Sequence, residues 1–203
     1  MRLFSWNVQG LGGSHHLLEK RIFRKEFEVV SLCRKIDILL LQEHHLGRER
    51  TELFKDPLPG DWHTWWAPAH GVLERRGGVC ISVRKSPDIA ILDHGILIEG
   101  RVMFCYLEWR NVKFGVLNVY APNSSSERTS FWSELANKIP SYDNWIVAGD
   151  FNMTERTNDC LGAHSNLLQG EELRAWGFLI AMLGIRDSWY SSMVVEENSL
   201  RFS

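Results

Sequence analysis

The sequence has only four cysteines, and Cys33, Cys80, Cys105 and Cys160 lie far apart with no Cys-x-x-Cys pair. That spacing argues against a disulfide framework or a thiolate zinc site and leaves free thiols in a reducing compartment as the expectation. No apolar run approaches the ~20 residues that cross a bilayer, and no basic-then-apolar leader opens the chain. Neither charge dominates, since 23 Lys and Arg face 25 Asp and Glu for a formal net charge of −2. The global field therefore offers nothing to a polyanion, and a nucleic-acid partner has to be held by a local basic surface or through metal. Internal repeats and low-complexity linkers are missing as well. The sequons Asn123-Ser124-Ser125 and Asn152-Met153-Thr154 are set aside because nothing points to secretion. The expectation is a soluble intracellular protein with no membrane partner.

What is present is a large apolar inventory, including nine Trp and ten Phe in 203 residues, enough for one domain with a substantial core. Alternating or short apolar runs predict strands at Arg2–Asn7, Asp37–Gln42, Trp62–Ala67, Gly78–Arg84, Ile89–Leu92, Arg101–Trp109, Val112–Tyr120 and Trp145–Asp150. Arg110-Asn111 between two of them reads as the turn of an antiparallel hairpin. Helices are predicted at His15–Lys35, where Leu18, Ile22, Val29 and Cys33 form a stripe, at Glu127–Ile139 and at Gly170–Leu183. Many short strands broken by a few helices predict an α+β fold, a two-sheet sandwich with helices outside.

The polar residues are concentrated at strand ends. The run Trp145-Ile146-Val147-Ala148 leads directly into Gly149-Asp150-Phe151-Asn152. Strand alternation predicts that Asp150 and Asn152 share one face while Phe151 points into the packing. Leu3-Phe4-Ser5-Trp6 likewise ends in Asn7, and Ile38-Leu39-Leu40-Leu41 ends in Gln42-Glu43. Any one of these is ordinarily a turn residue or a helix cap. Three apolar strands each delivering an oxygen-rich side chain is instead a pattern suited to a hard cation beside a phosphate.

Trp6-Asn7, Gln42-Glu43, Asn118-Val119-Tyr120-Ala121-Pro122-Asn123 and Gly149-Asp150-Phe151-Asn152 occur in an order that resembles the endonuclease/exonuclease/phosphatase superfamily. The opening Met1–Gly12 is most similar to the endonuclease domain of plant LINE-type (non-LTR) retrotransposon polyproteins. The resemblance implies a four-layer αββα sandwich of the DNase I-like kind over residues 1–203, with its site at one end of the sheets. It implies metal-dependent phosphodiester hydrolysis, DNA nicking through backbone contacts, and a reverse-transcriptase region of a longer polyprotein as a further partner. Glu43 takes the role of ligand to Mg²⁺ or Mn²⁺, and Asn7 binds the metal or aligns Glu43. Asp150 orients or deprotonates the attacking water, and Asn152 donates its amide to the phosphate. Tyr120 and Asn123 hold the phosphate. The bland readings remain a solvated loop Glu, a turn amide and a half-buried strand aromatic.

Other residues read less sharply. Arg75 and Arg76, before Gly77-Gly78, reach a DNA backbone or form a solvated hairpin tip. Asn118 shares the parity of Tyr120 and lines the floor of the site, whereas Gln9 offers only a neutral side chain. Trp62, Trp65 and Trp66 pack in the core or stack on bases. His44, His45, His63, His70 and His164 read as surface or turn residues. Superfamily members usually close with a Ser-Asp-His, and this sequence has none. The resulting expectation is a domain incomplete at its C-terminus and weakly active or inactive. Alternatives are a phosphatase or phosphodiesterase acting on inositol phosphates or lipids, an abasic-site repair enzyme, and a non-catalytic retroelement remnant or binding module.

Overall fold

The computed structural model describes residues 1–11, 36–53, 61–69, 76–155 and 167–187. One sheet contains β1 (Leu3–Asn7), β2 (Ile38–Gln42), β4 (Val79–Arg84) and β3 (Trp62–Ala67), in that spatial order. The other contains β5 (Ile89–Ile98), β6 (Val102–Trp109), β7 (Val112–Tyr120) and β8 (Trp145–Asp150). In each sheet the strand pair at one side is parallel, β1 with β2 and β7 with β8, and the remaining pairings are antiparallel. The sheets face each other with β1 against β8 and β2 against β7.

Side-chain alternation sorts each strand between two environments. Ile38 and Leu40 of β2 join Val79, Ile81 and Val83 of β4 in facing Met103, Cys105, Leu107, Phe114 and Val116 across the sandwich. Leu39 and Leu41 point the other way, into a cluster with Val8, Trp62 and Cys80. A strand with both faces covered needs no polar alternation, which explains the unbroken Ile-Leu-Leu-Leu run. The β6–β7 hairpin forms with Trp109 opposite Val112. Its turn residues Arg110 and Asn111 have φ of 49° and 66°, the left-handed pair of a type I′ turn.

Three helices are described, α1 (Arg48–Leu53), α2 (Ser125–Lys138) and α3 (Gly170–Leu183). Phe131, Trp132 and Leu135 of α2 and Trp176 and Leu179 of α3 cover Val102, Phe104, Leu117 and Val119 on the outer face of the second sheet. Gly184, at φ 63°, ends α3, and the Ile185 N–H bonds back to Ile180 O at 3.3 Å. The α+β sandwich thus has a helical layer on its second sheet. The predicted helix His15–Lys35, the candidate for the fourth layer, lies outside the described residues.

Two elements differ from the sequence reading. Strand β5 runs to Ile98 rather than stopping at Leu92, with irregular register at Ile91/Asp93 and Ile96/Ile98 that breaks the alternation expected of a long strand. The short helix α1 is too polar and too brief to carry a periodic apolar signal.

Candidate active site

The parity that sends Ile38 and Leu40 inward also turns the last residues of the parallel strands into the space between the sheets. Asn7 Nδ2 donates to Asp150 Oδ2 at 2.7 Å, joining the ends of β1 and β8, 143 residues apart in the chain. Gln42 Nε2 donates to Asn118 Oδ1 at 2.7 Å and to Ser5 Oγ at 3.0 Å. Asn118 Nδ2 in turn donates to the main-chain oxygens of Leu41 and Cys80. Asn118 is fully buried and spends its amide tying the sheets together, so it is not an open floor for a ligand.

Strands β1 and β8 end alike. The Gln9 N–H bonds to Asn7 Oδ1 at 3.0 Å with Gln9 at φ 48°, and the Asn152 N–H bonds to Asp150 Oδ1 at 3.0 Å with Asn152 at φ 50°. These are Asx turns, in which a side-chain oxygen caps the amide two residues on. The expected sharing of a strand face by Asp150 and Asn152 is therefore corrected: β8 stops at Asp150, and a left-handed turn brings Asn152 back beside it. Asn152 Nδ2 donates to Ala121 O at 2.8 Å, and Phe151 packs 5.5 Å from the Trp176 ring.

Glu43 follows β2 at φ 54°, and His45 is left-handed too at φ 57°. That conformation costs a non-glycine residue about 1–2 kcal/mol. Neighbouring main chain holds it in place: Gly10 N–H bonds to Glu43 O at 2.6 Å and His45 N–H to Gly77 O at 3.1 Å. Gly78, at φ 90°, leaves no room for a Cβ, which would meet the His44 ring. The Gly77-Gly78 pair therefore serves a close approach to this loop. Arg76 just before it is exposed, and Arg75 lies outside the described residues.

His44 is not a surface histidine. It is fully buried, with Nε2 3.1 Å from Ala67 O and Nδ1 accepting the Leu46 N–H at 3.0 Å. Burial lowers its pKa from 6.5 to about 4, so the ring is neutral and carries its proton on Nε2. His45 Nε2 is 3.6 Å from Glu43 Oε2, which brings a second imidazole to the site. His63 and His94 are exposed, while His70 and His164 lie outside the described residues.

Tyr120 completes the group. Burial raises its phenol pKa first, followed by a hydrogen bond to Glu43 and the charges of Glu43 and Asp150. The phenol therefore stays protonated as a donor. The guanidinium of Arg101 opposes that rise; its Cζ is 5.0 Å from the Tyr120 ring centroid, and Nη1 bonds to Tyr120 O at 3.4 Å. Sequence reading missed Arg101, which falls in none of the motifs; the Glu99-Gly100-Arg101 turn before β6 is the only cue.

Asn123 is exposed on the loop between β7 and α2, adjoining this group through Ala121. The tryptophans pack: Trp62 is buried under Arg84, Trp66 meets His44 edge-on at 5.0 Å, and Trp65 lies against His94 at 4.5 Å. Burial pushes the thiols of Cys80 and Cys105 up to about 12, so both are inert; Cys33 and Cys160 are outside the described residues.

Among the described residues, no three His, Cys, Asp or Glu side chains gather closely enough to hold a metal by themselves. The donors brought together are two carboxylates, Glu43 and Asp150, with the amide oxygen of Asn7 and the Tyr120 phenol. This oxygen set suits Mg²⁺, which takes one or two carboxylates and keeps several waters. It does not suit a softer ion.

A sequence model of the endonuclease/exonuclease/phosphatase family matches residues 4–194. The chain is 29% identical over 178 residues to an exodeoxyribonuclease of Bacillus subtilis, covering 82% of this chain and 64% of that protein. Among solved structures it is similar to the AP endonuclease LMAP of Leishmania major, with a TM-score of 0.71 and 18% identity over 89% of this chain and 66% of that one. The Xenopus laevis APE2 catalytic domain gives a TM-score of 0.63 and 16% identity, over 87% of this chain and 67% of that one. The chain thus spans about two thirds of the length of each of these proteins.

Proposed function

The chain belongs to the endonuclease/exonuclease/phosphatase family, and from that premise we propose that it hydrolyses phosphodiester bonds of DNA with a divalent cation. The observation that carries this reading is the Asn7–Asp150 hydrogen bond, which closes the two sheets over a site that also contains Glu43 and Tyr120. Two carboxylates near an uncharged phenol repel each other and attract a cation. Glu43 and Asn7 would hold Mg²⁺ or Mn²⁺, which when bound neutralises charge growing on phosphate oxygens.

The remaining roles follow from donor and acceptor chemistry. Asp150, fixed on one side by Asn7 and on the other by the Asn152 N–H, keeps a lone pair to orient or accept a proton from water. Asn152 uses one amide hydrogen on Ala121 O and has a second for a phosphate oxygen. Tyr120 and Asn123 add a phenol and an amide, and Arg101 adds positive charge beside them. Arg76 would meet the DNA backbone further out. The similarity of Met1–Gly12 to plant LINE-type polyproteins supports a retroelement origin, with a reverse-transcriptase region as partner and an intracellular location.

The test is nicking of supercoiled plasmid and of a duplex with one abasic site, in Mg²⁺, Mn²⁺ and EDTA, with inositol phosphate and lipid phosphoester controls. Metal-dependent DNA cleavage lost in Glu43→Gln supports the reading. No DNA cleavage by the wild type, or cleavage unaffected by Glu43→Gln, overturns it.

A further inference from the structure

Helices α2 and α3 are joined by an ion pair that the chemistry above does not use. The Arg128 and Glu172 side chains are each only 1% exposed. Arg128 Nε donates to Glu172 Oε1, Nη2 donates to Oε2 at 3.3 Å, and Ser125 Oγ also donates to Oε2. The rest of the guanidinium points away from Glu172. Its Nη1 donates to Pro122 O at 3.2 Å and to Asn123 O at 2.6 Å.

Those two carbonyls belong to the loop that carries Asn123, and the preceding residue links the same loop to the other side of the site. Ala121 O accepts from Asn152 Nδ2 at 2.8 Å, while Ala121 N–H donates to Asp150 O at 2.9 Å. The geometry points to Arg128, held by Glu172, as the positioning residue that sets the Ala121–Asn123 loop against Asp150 and Asn152. This inference rests on the phosphodiesterase reading of the site.

A purely structural role explains less. The helices already share an apolar seam, with the Trp132 and Trp176 rings 4.8 Å apart. Exchanging a buried ion pair for well-packed apolar residues is often neutral or stabilising, so the pair is not needed to join the helices. What an apolar pair cannot supply is the planar fork of donors that satisfies two loop carbonyls while binding a carboxylate. Lysine, a point charge on a flexible stem, cannot reproduce it either.

The test uses the full chain with Arg128→Met/Glu172→Leu and, separately, Arg128→Lys. Thermal melting, DNA cleavage and residue-resolved amide exchange are read for each. The expected double variant still melts cooperatively, yet its kcat falls about 10²-fold, the typical effect of a misplaced catalytic group. Its KM moves less than about threefold, and the Ala121 N–H exchanges faster. Arg128→Lys shows the same kcat loss and the same loss of Ala121 protection. Wild-type kcat and wild-type Ala121 exchange in a folded double variant overturn the inference, as do both in Arg128→Lys if the double variant fails to fold. A wild type that cleaves no DNA sinks the functional reading instead, and Ala121 exchange in the variants still decides whether Arg128 orders the loop.

Discussion

Asp150→Asn changes a carboxylate into an amide of the same shape, so its effect can be worked out atom by atom. Oδ1 still accepts the Asn152 N–H, but the group replacing Oδ2 is a donor facing Asn7 Nδ2 across 2.7 Å. Asn7 cannot flip to relieve this, because its Oδ1 already accepts the Gln9 N–H. Two part-buried donors left facing each other cost about 1–2 kcal/mol. The exchange Asn7→Asp/Asp150→Asn repairs it: the new amide donates to the new carboxylate, and both Asx turns keep their acceptors. Urea unfolding of wild type, both single variants and the double should give a favourable coupling energy of about 1–2 kcal/mol for the exchange. Cleavage should not recover with stability, since the carboxylate then lies on β1 rather than β8; a ~10²–10⁴-fold loss is expected in Asp150→Asn and in the exchange. A single variant as stable as wild type, or an exchange with no coupling energy, refutes the inter-sheet hydrogen bond.

Three further outcomes are expected. Gly149→Ala puts a Cβ against Val119 O at a backbone φ of 145°, and should lower stability by about 2–5 kcal/mol in denaturant titration. His44 has its folded pKa lowered from 6.5 to about 4, so between those values the unfolded chain binds a proton that the native chain refuses. Stability is then full above pH 6.5 and falls by about 3 kcal/mol towards pH 4, a slope that urea titrations should find diminished in His44→Gln. Tyr120→Phe, which deletes the donor to Glu43, should keep stability within about 1 kcal/mol while slowing cleavage ~10²-fold.

All the strands but the far half of β5, and the β6–β7 turn, were legible in the sequence because short or alternating apolar runs and Arg110-Asn111 are local signals. So was the placing of oxygen-bearing side chains at the ends of β1, β2 and β8. Asn152 was misread because alternation was extended one turn past the end of β8, where an Asx turn reverses the chain. The burial of His44 was hidden, since the groups that make it a core residue, Ala67 O, the Leu46 N–H and the space left by Gly78, come together only in the fold. Arg128 and Glu172 look like ordinary helix charges until residues 44 apart are seen to meet directly, each buried. Asn118, expected at the floor of the site, is consumed by Gln42, Leu41 and Cys80 from the opposite sheet.

Paramagnetic broadening of backbone amide signals by Mn²⁺ tests most directly whether Asn7, Glu43, Asp150 and Asn152 form one cation site. The account predicts saturable broadening confined to amides near Asn7–Gln9, Glu43–His45, Tyr120–Asn123 and Asp150–Asn152, and abolished in Glu43→Gln. Broadening centred elsewhere, or unchanged in Glu43→Gln, would contradict it.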